Sequence, residues 1–160
     1  MLSTSFPTIT GLVFCIGAVL APLQVVAETL LTVTHEGKVQ TYDLDALKEM
    51  GAVTFETKTI WTDGPQSFTG VSLLKLAEEL NLEDGVLLAS AINDYTVEIP
   101  ISDAVEGGPI IAYLNNGEPM SVRDKGPLWI VYPYDSDPKY RSELIYSRSI
   151  WQLDRIETSD

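Results

Sequence analysis

Thiols are nearly absent from this chain. Its one cysteine, Cys15, lies inside the apolar run 9–27. Beyond it the chain can form no disulfide and offers no thiolate to a metal. Histidine is equally scarce, with His35 alone, next to Glu36. Without a second imidazole or a thiolate, zinc and other metals that prefer nitrogen and sulfur have no donor set. Basic residues are few as well. Ten Lys and Arg stand against 23 Asp and Glu, a formal net charge of −13. Such a surface repels DNA, RNA and anionic lipid headgroups. No serine sits in a G-x-S-x-G elbow, and no Walker or dinucleotide glycine pattern occurs. The acidic stretch Asp135-Ser136-Asp137-Pro138 is not an EF-hand. A loop begun at Asp135 would put Tyr140 at the glycine position and Tyr146 at the glutamate position. The many remaining carboxylates single out no acid–base pair.

What is present begins with a charge-free segment. Residues 9–27 hold no charged side chain and end with Val25 and Ala27 at the small-residue positions a signal peptidase reads. The pattern predicts a signal peptide over 1–27, cleaved between Ala27 and Glu28, and a periplasmic or secreted domain over 28–160. The rival reading is an uncleaved membrane anchor, against which Pro22 and Gln24 interrupt the apolar run. After cleavage no membrane span is expected. A chain of that length forms one domain and buries roughly two-thirds of its unfolded surface.

The elements are short and alternate, which predicts an α+β domain: a compact mixed sheet with short helices. Segments 30–35 and 38–42 alternate around Glu36-Gly37 and read as a hairpin. Asp43 caps a short helix that ends before Gly51. A strand follows over 52–61, then a loop over 62–70 marked by Gly, Pro and Asp. Ser72 caps a helix whose Leu73, Leu76, Ala77 and Leu80 share one face. Strands are expected over 85–92, 96–99 and 109–114, with Asn116-Gly117 turning a hairpin. The run 126–133 reads as a central strand buried on both faces. A polar stretch with some helix leads to a final strand near the C-terminus.

Six aromatics, Trp129, Tyr132, Tyr134, Tyr140, Tyr146 and Trp151, crowd into one short stretch. Two readings stand. They pack the core, or they line a concave face that stacks a flat ligand.

Five segments in order, 68–76 (FTGVSLLKL), 91–100 (AINDYTVEIP), 111–120 (IAYLNNGEPM), 126–133 (GPLWIVYP) and 150–156 (IWQLDRI), together resemble the oxidoreductase molybdopterin-binding domain family, the sulfite oxidase fold. The resemblance spans about 52–157. It implies a cofactor cleft with the Asn93-Asp94-Tyr95 turn on its rim. It also implies a metal-ligating cysteine within Thr57–Ile60, where this chain has Thr-Lys-Thr-Ile. The family's arginine and lysine for the pterin phosphate match Trp129 and Ile150 here, with Arg123, Lys125 and Arg148 near enough in sequence to substitute. A hydroxyl or ammonium cannot replace a soft thiolate on molybdenum. The candidate cleft residues are therefore Thr57, Thr59, Trp61, Asn93, Asp94, Tyr95, Arg123, Lys125, Trp129, Tyr132 and Arg148. No residue is assigned a catalytic or metal-binding role.

Three functions follow from this reading. The favoured one is a non-catalytic binding, sensing or accessory module that uses the former cofactor cleft for a small molecule or a membrane-bound partner protein. The second is a molybdopterin-dependent oxidoreductase with a cysteine-free site. The third is a structural adaptor with a filled cleft. Fold alone does not choose among them.

Overall fold

The computed structural model describes residues 28–159. The signal-peptide expectation falls outside them. Among the described residues no helix is long and apolar enough to cross a membrane.

The chain is α+β, built on two five-stranded sheets. β1 (Leu31–His35) and β2 (Lys38–Tyr42) form the expected hairpin, with Glu36 at φ 49° and Gly37 at φ 74°. Two successive positive φ values are the type I′ geometry, whose twist matches paired strands. α1 (Leu44–Glu49) starts where Asp43 Oδ1 accepts the Ala46 N–H at 2.8 Å. That bond satisfies one orphan donor of the first turn. β3 (Ala52–Lys58) then turns back as β4 (Pro65–Ser72).

β4 corrects the sequence reading, which made 62–70 a loop and carried the preceding strand to Trp61. Only 59–64 forms the connection. Phe68 and Val71 of β4 are fully buried, and β4 pairs along its length with β3 on one side. Gly70, which looked like a loop residue, marks a break in register against the strand on the other side. Glycine inside a strand commonly records such a bulge or close backbone approach.

Ser72 Oγ accepts the Lys75 N–H at 3.0 Å and opens α2 (Leu73–Glu79), which buries Leu73, Leu76 and Ala77 as its apolar stripe predicts. β5 (Val86–Ala91) and β6 (Thr96–Pro100) form a second hairpin. β7 (Ile110–Asn115) turns through Asn116 (φ 50°) and Gly117 (φ 83°) into the two-residue β8 (Glu118–Pro119).

β9 (Trp129–Val131) is buried as expected, but it is short and not central. It pairs with β7, and its other edge meets chain 150–151 through the Trp129–Trp151 bridge and an Ile130 N–H to Ile150 O bond of 2.9 Å. α3 (Glu143–Arg148) precedes β10 (Leu153–Ser159).

The first sheet runs β2-β1-β10-β5-β6, with β10 parallel to β1. The second runs β3-β4-β7-β8, with β9 beside β7. One continuous core joins them: Leu31 and Val33, Leu87 and Ala89, Ile156, Phe68 and Val71, and Ile110 and Ile111 are buried together.

Candidate functional site

An aromatic-lined pocket of about 250 Å³ opens where the β5–β6 turn, the 59–64 connection and the end of α3 converge. Each wall is fixed by a local device. Thr59 Oγ1 accepts the Trp61 N–H at 3.1 Å and bonds Thr62 Oγ1 at 2.8 Å, so the threonine hydroxyls lock the turn that presents Trp61. In the β5–β6 turn, Asn93 Oδ1 accepts the Tyr95 N–H at 3.2 Å. This is the Asx-type local bond that suits asparagine to tight turns. Asn93 and Tyr95 line the pocket, and Tyr95 remains 57% exposed at its mouth.

Tyr146, Ser147 and Ser149 come from the end of α3, and Ile150, Trp151 and Gln152 from the chain leading to β10. That chain is pinned from two sides. The Gln152 N–H donates to Lys125 O at 3.0 Å, and Gln152 O accepts the Ile92 N–H at 3.0 Å.

Trp61 is the hub of the aromatics. Its ring meets Trp151 at 5.4 Å and 76°, Tyr146 at 5.9 Å and 83°, and Trp129 at 5.9 Å and 65° between centroids and planes. These are edge-to-face contacts, the arrangement the ring quadrupole favours. The six aromatics divide by place between the core and the pocket wall. Trp129, Tyr132, Tyr134 and Tyr140 are buried in the core, while Tyr146 and Trp151 line the pocket.

The remaining expected cleft residues lie elsewhere, each for a stated reason. Thr57 is buried, and its Oγ1 accepts the Asp135 N–H at 3.1 Å while Asp135 Oδ2 accepts the Lys58 N–H at 2.7 Å. The pair latches β3 to the loop after β9. Thr59 acts on Trp61 and does not itself line the pocket. Asp94 has a left-handed φ of 66° and an exposed side chain that pairs with Arg155. Arg123 is exposed on the turn 122–124. Lys125 does not line the pocket, but its Nζ lies 5.6 Å from the Trp129 ring centre and 6.0 Å from that of Trp151. Trp129 forms the buried layer beneath Trp61 and donates from Nε1 to Ser149 O at 3.2 Å.

Tyr132 and Arg148 meet away from the pocket. The Tyr132 hydroxyl donates to Asp103 Oδ2 at 2.8 Å, and Arg148 Nη1 donates to the same oxygen at 2.9 Å. Burial, then the Asp103 carboxylate, hold the Tyr132 phenol far above the ordinary tyrosine range. Burial also raises Tyr134, although its bond to Ser149 Oγ works the other way. Both phenols thus stay neutral in the fold where the unfolded chain would ionise them near pH 10. Folded values raised above unfolded ones give stability that is complete below about pH 10 and lost as pH rises toward the folded values. The urea midpoint is expected to fall above about pH 10, less steeply in Tyr132→Phe. A midpoint that stays level through pH 11 would contradict the burial of both phenols.

Of the expected cleft residues, the structure brings Trp61, Asn93 and Tyr95 together at the pocket and leaves Lys125 outside its lining. The sequence did not assign Ala91, Ser147, Ser149, Ile150 or Gln152 to a site. The one available signal was adjacency to Tyr146 and Trp151 in the aromatic stretch. A larger depression of about 480 Å³ beside the β1–β2 turn is lined by charged and amide groups, among them His35, Glu79, Glu83 and Asp84. Among the described residues no group of three or more His, Cys, Asp or Glu side chains is placed to hold a metal ion.

The chain matches no family model and no curated protein.

Proposed function

We propose that this chain is an exported, non-catalytic binding module of the sulfite oxidase type of fold, which uses its aromatic pocket to hold a small molecule. The observation that carries this reading is the character of the lining. Trp61, Tyr95, Tyr146 and Trp151 line a cavity whose lining contains no charged side chain, histidine or cysteine. Pockets that combine aromatic walls with a few polar groups are the usual form of small-molecule sites.

The residues do not fit the molybdenum cofactor that the resemblance implies. The hydroxyls of Thr57 and Thr59, where the thiolate would stand, are already engaged in bonds that fix the backbone. Arg148 is engaged with Asp103. Trp129 and Ile150, at the positions of the phosphate-binding bases, are buried apolar groups. A membrane-bound partner that receives or presents the ligand, in the periplasm or outside the cell, belongs to the same proposal.

The test is the metal and pterin content of protein purified from a host that makes the cofactor. Molybdenum and oxidised-pterin fluorescence are both expected at background. Near one equivalent of each would establish the oxidoreductase reading instead.

A further inference from the structure

The pocket walls form a box. Trp61 is the back wall, and Trp151 and Tyr146 stand nearly perpendicular to it at 76° and 83°. Tyr95 lines the opening and makes none of the close ring contacts that join the other three. A cation placed over the face of an aromatic ring is attracted by the ring quadrupole.

The polar groups of the lining are largely engaged. Gln152 Nε2 donates to Val122 O at 2.8 Å, and Ser147 Oγ to Leu144 O at 2.7 Å. Ser149 Oγ donates to Ile145 O at 2.8 Å and accepts the Tyr134 hydroxyl at 2.6 Å. Asn93 Oδ1 holds the Tyr95 N–H. An anion needs hydrogen-bond donors, and few remain. A primary ammonium needs several acceptors, and few of those remain either. A quaternary ammonium has no N–H and needs neither.

The charges around the pocket agree. Arg155 is paired with Asp94 and Asp154, and Arg148 with Asp103. The whole chain carries −13, a field that concentrates cations at its surface. Lys125 is the exception. Its ammonium already rests over Trp129 and Trp151 from outside the lining.

We infer that the box of Trp61, Tyr95, Tyr146 and Trp151 binds a quaternary ammonium compound with a short polar tail. This rests on the small-molecule reading above. Asn93 Nδ2, Gln152 Oε1 and the two tyrosine hydroxyls are side-chain groups left to meet the tail. The ammonium of Lys125 works against the ligand, so its removal tightens binding.

The test is calorimetric titration of the purified protein with choline, with the uncharged carbon isostere of choline, and with benzoate. Choline is expected to bind about tenfold or more tighter than its isostere, the size of a desolvated cation–π contribution. Tyr95→Ala, at an exposed wall outside the ring stack, is expected to weaken choline about tenfold while the protein stays folded. Lys125→Gln is expected to tighten it several-fold. Equal binding of choline and its isostere, no choline binding, or weaker choline binding by Lys125→Gln would each overturn the inference. Binding of benzoate or the isostere without choline would overturn it and leave the small-molecule reading intact. Stoichiometric molybdenum and pterin would instead remove the reading beneath it.

Discussion

Gly70→Ala is expected to abolish stable folding. A Cβ at residue 70 would lie 2.1 Å from Ile111 O and 2.6 Å from both Ala112 Cα and Ile111 C. Every one of these atoms is backbone of β7, so no side chain can rotate aside. β7 is also the strand that β4, β8 and β9 share. Pushing it away breaks the second sheet at its centre and opens the core at Phe68 and Val71. The cost should exceed about 4 kcal/mol, the range reserved for severe steric or core defects, against a total stability of roughly 5–15 kcal/mol. Thermal unfolding followed by far-UV circular dichroism checks this. Glu56→Ala, on the exposed face of the neighbouring β3, should change stability by no more than about 0.5 kcal/mol. A Gly70→Ala protein that melts within a few degrees of the parent would contradict the pairing of β4 with β7.

The second large effect is at Asp103. Its Oδ2 accepts from both Tyr132 and Arg148, and the Arg148 and Asp103 side chains are only 18% and 16% exposed. Asp103→Ala leaves a largely buried guanidinium and a fully buried phenol without their acceptor. Arg148 Nε already lacks a partner, so the guanidinium has little with which to compensate. Breaking a buried pair from one side typically costs about 3–5 kcal/mol, and urea denaturation should show a loss of that order. Removing both charges and the phenol hydroxyl together, as Asp103→Leu with Arg148→Met and Tyr132→Phe, should recover most of it, because the desolvation cost disappears with the polar groups. The exposed Lys75–Glu78 pair on α2 provides the contrast. Its loss should cost under about 1 kcal/mol.

These two positions also show what sequence could reveal. Elements defined by neighbours in the chain were legible. The caps at Asp43 and Ser72 and the turns at Glu36-Gly37 and Asn116-Gly117 lie where their residue types direct. β4 was not legible, because Thr62-Asp63-Gly64-Pro65 reads as loop punctuation that runs on to Gly70. Phe68 and Val71 are strand residues only because β3 and β7 flank them, and that is a long-range fact. Gly70 is fixed by the atoms of Ile111 and Ala112, 41 and 42 residues on by their numbering. The Asp103–Tyr132–Arg148 cluster joins three distant positions, so Tyr132 and Arg148 read as cleft groups when they are internal.

The candidate site was half legible for the same reason. Asn93 and Tyr95 belong to a turn that announces itself, and Trp61 follows a strand rich in β-branched residues. Asp94 sits between two pocket residues, yet its left-handed φ sends its carboxylate to Arg155. Adjacency in sequence does not give direction at such a residue. Gln152, also left-handed at φ 53°, lines the pocket only because Lys125 and Ile92 hold its backbone in place.

The box of Trp61, Tyr95, Tyr146 and Trp151 is the proposed meeting place of this chain and its ligand. A proton–nitrogen correlation spectrum recorded during a choline titration tests it most directly. The indole N–H signals of Trp61 and Trp151 are expected to move together with the backbone amides of Asn93, Tyr95 and Gln152, along one saturable curve. Signals that stay fixed there, or that move only around His35 and Glu83 at the far depression, would contradict it.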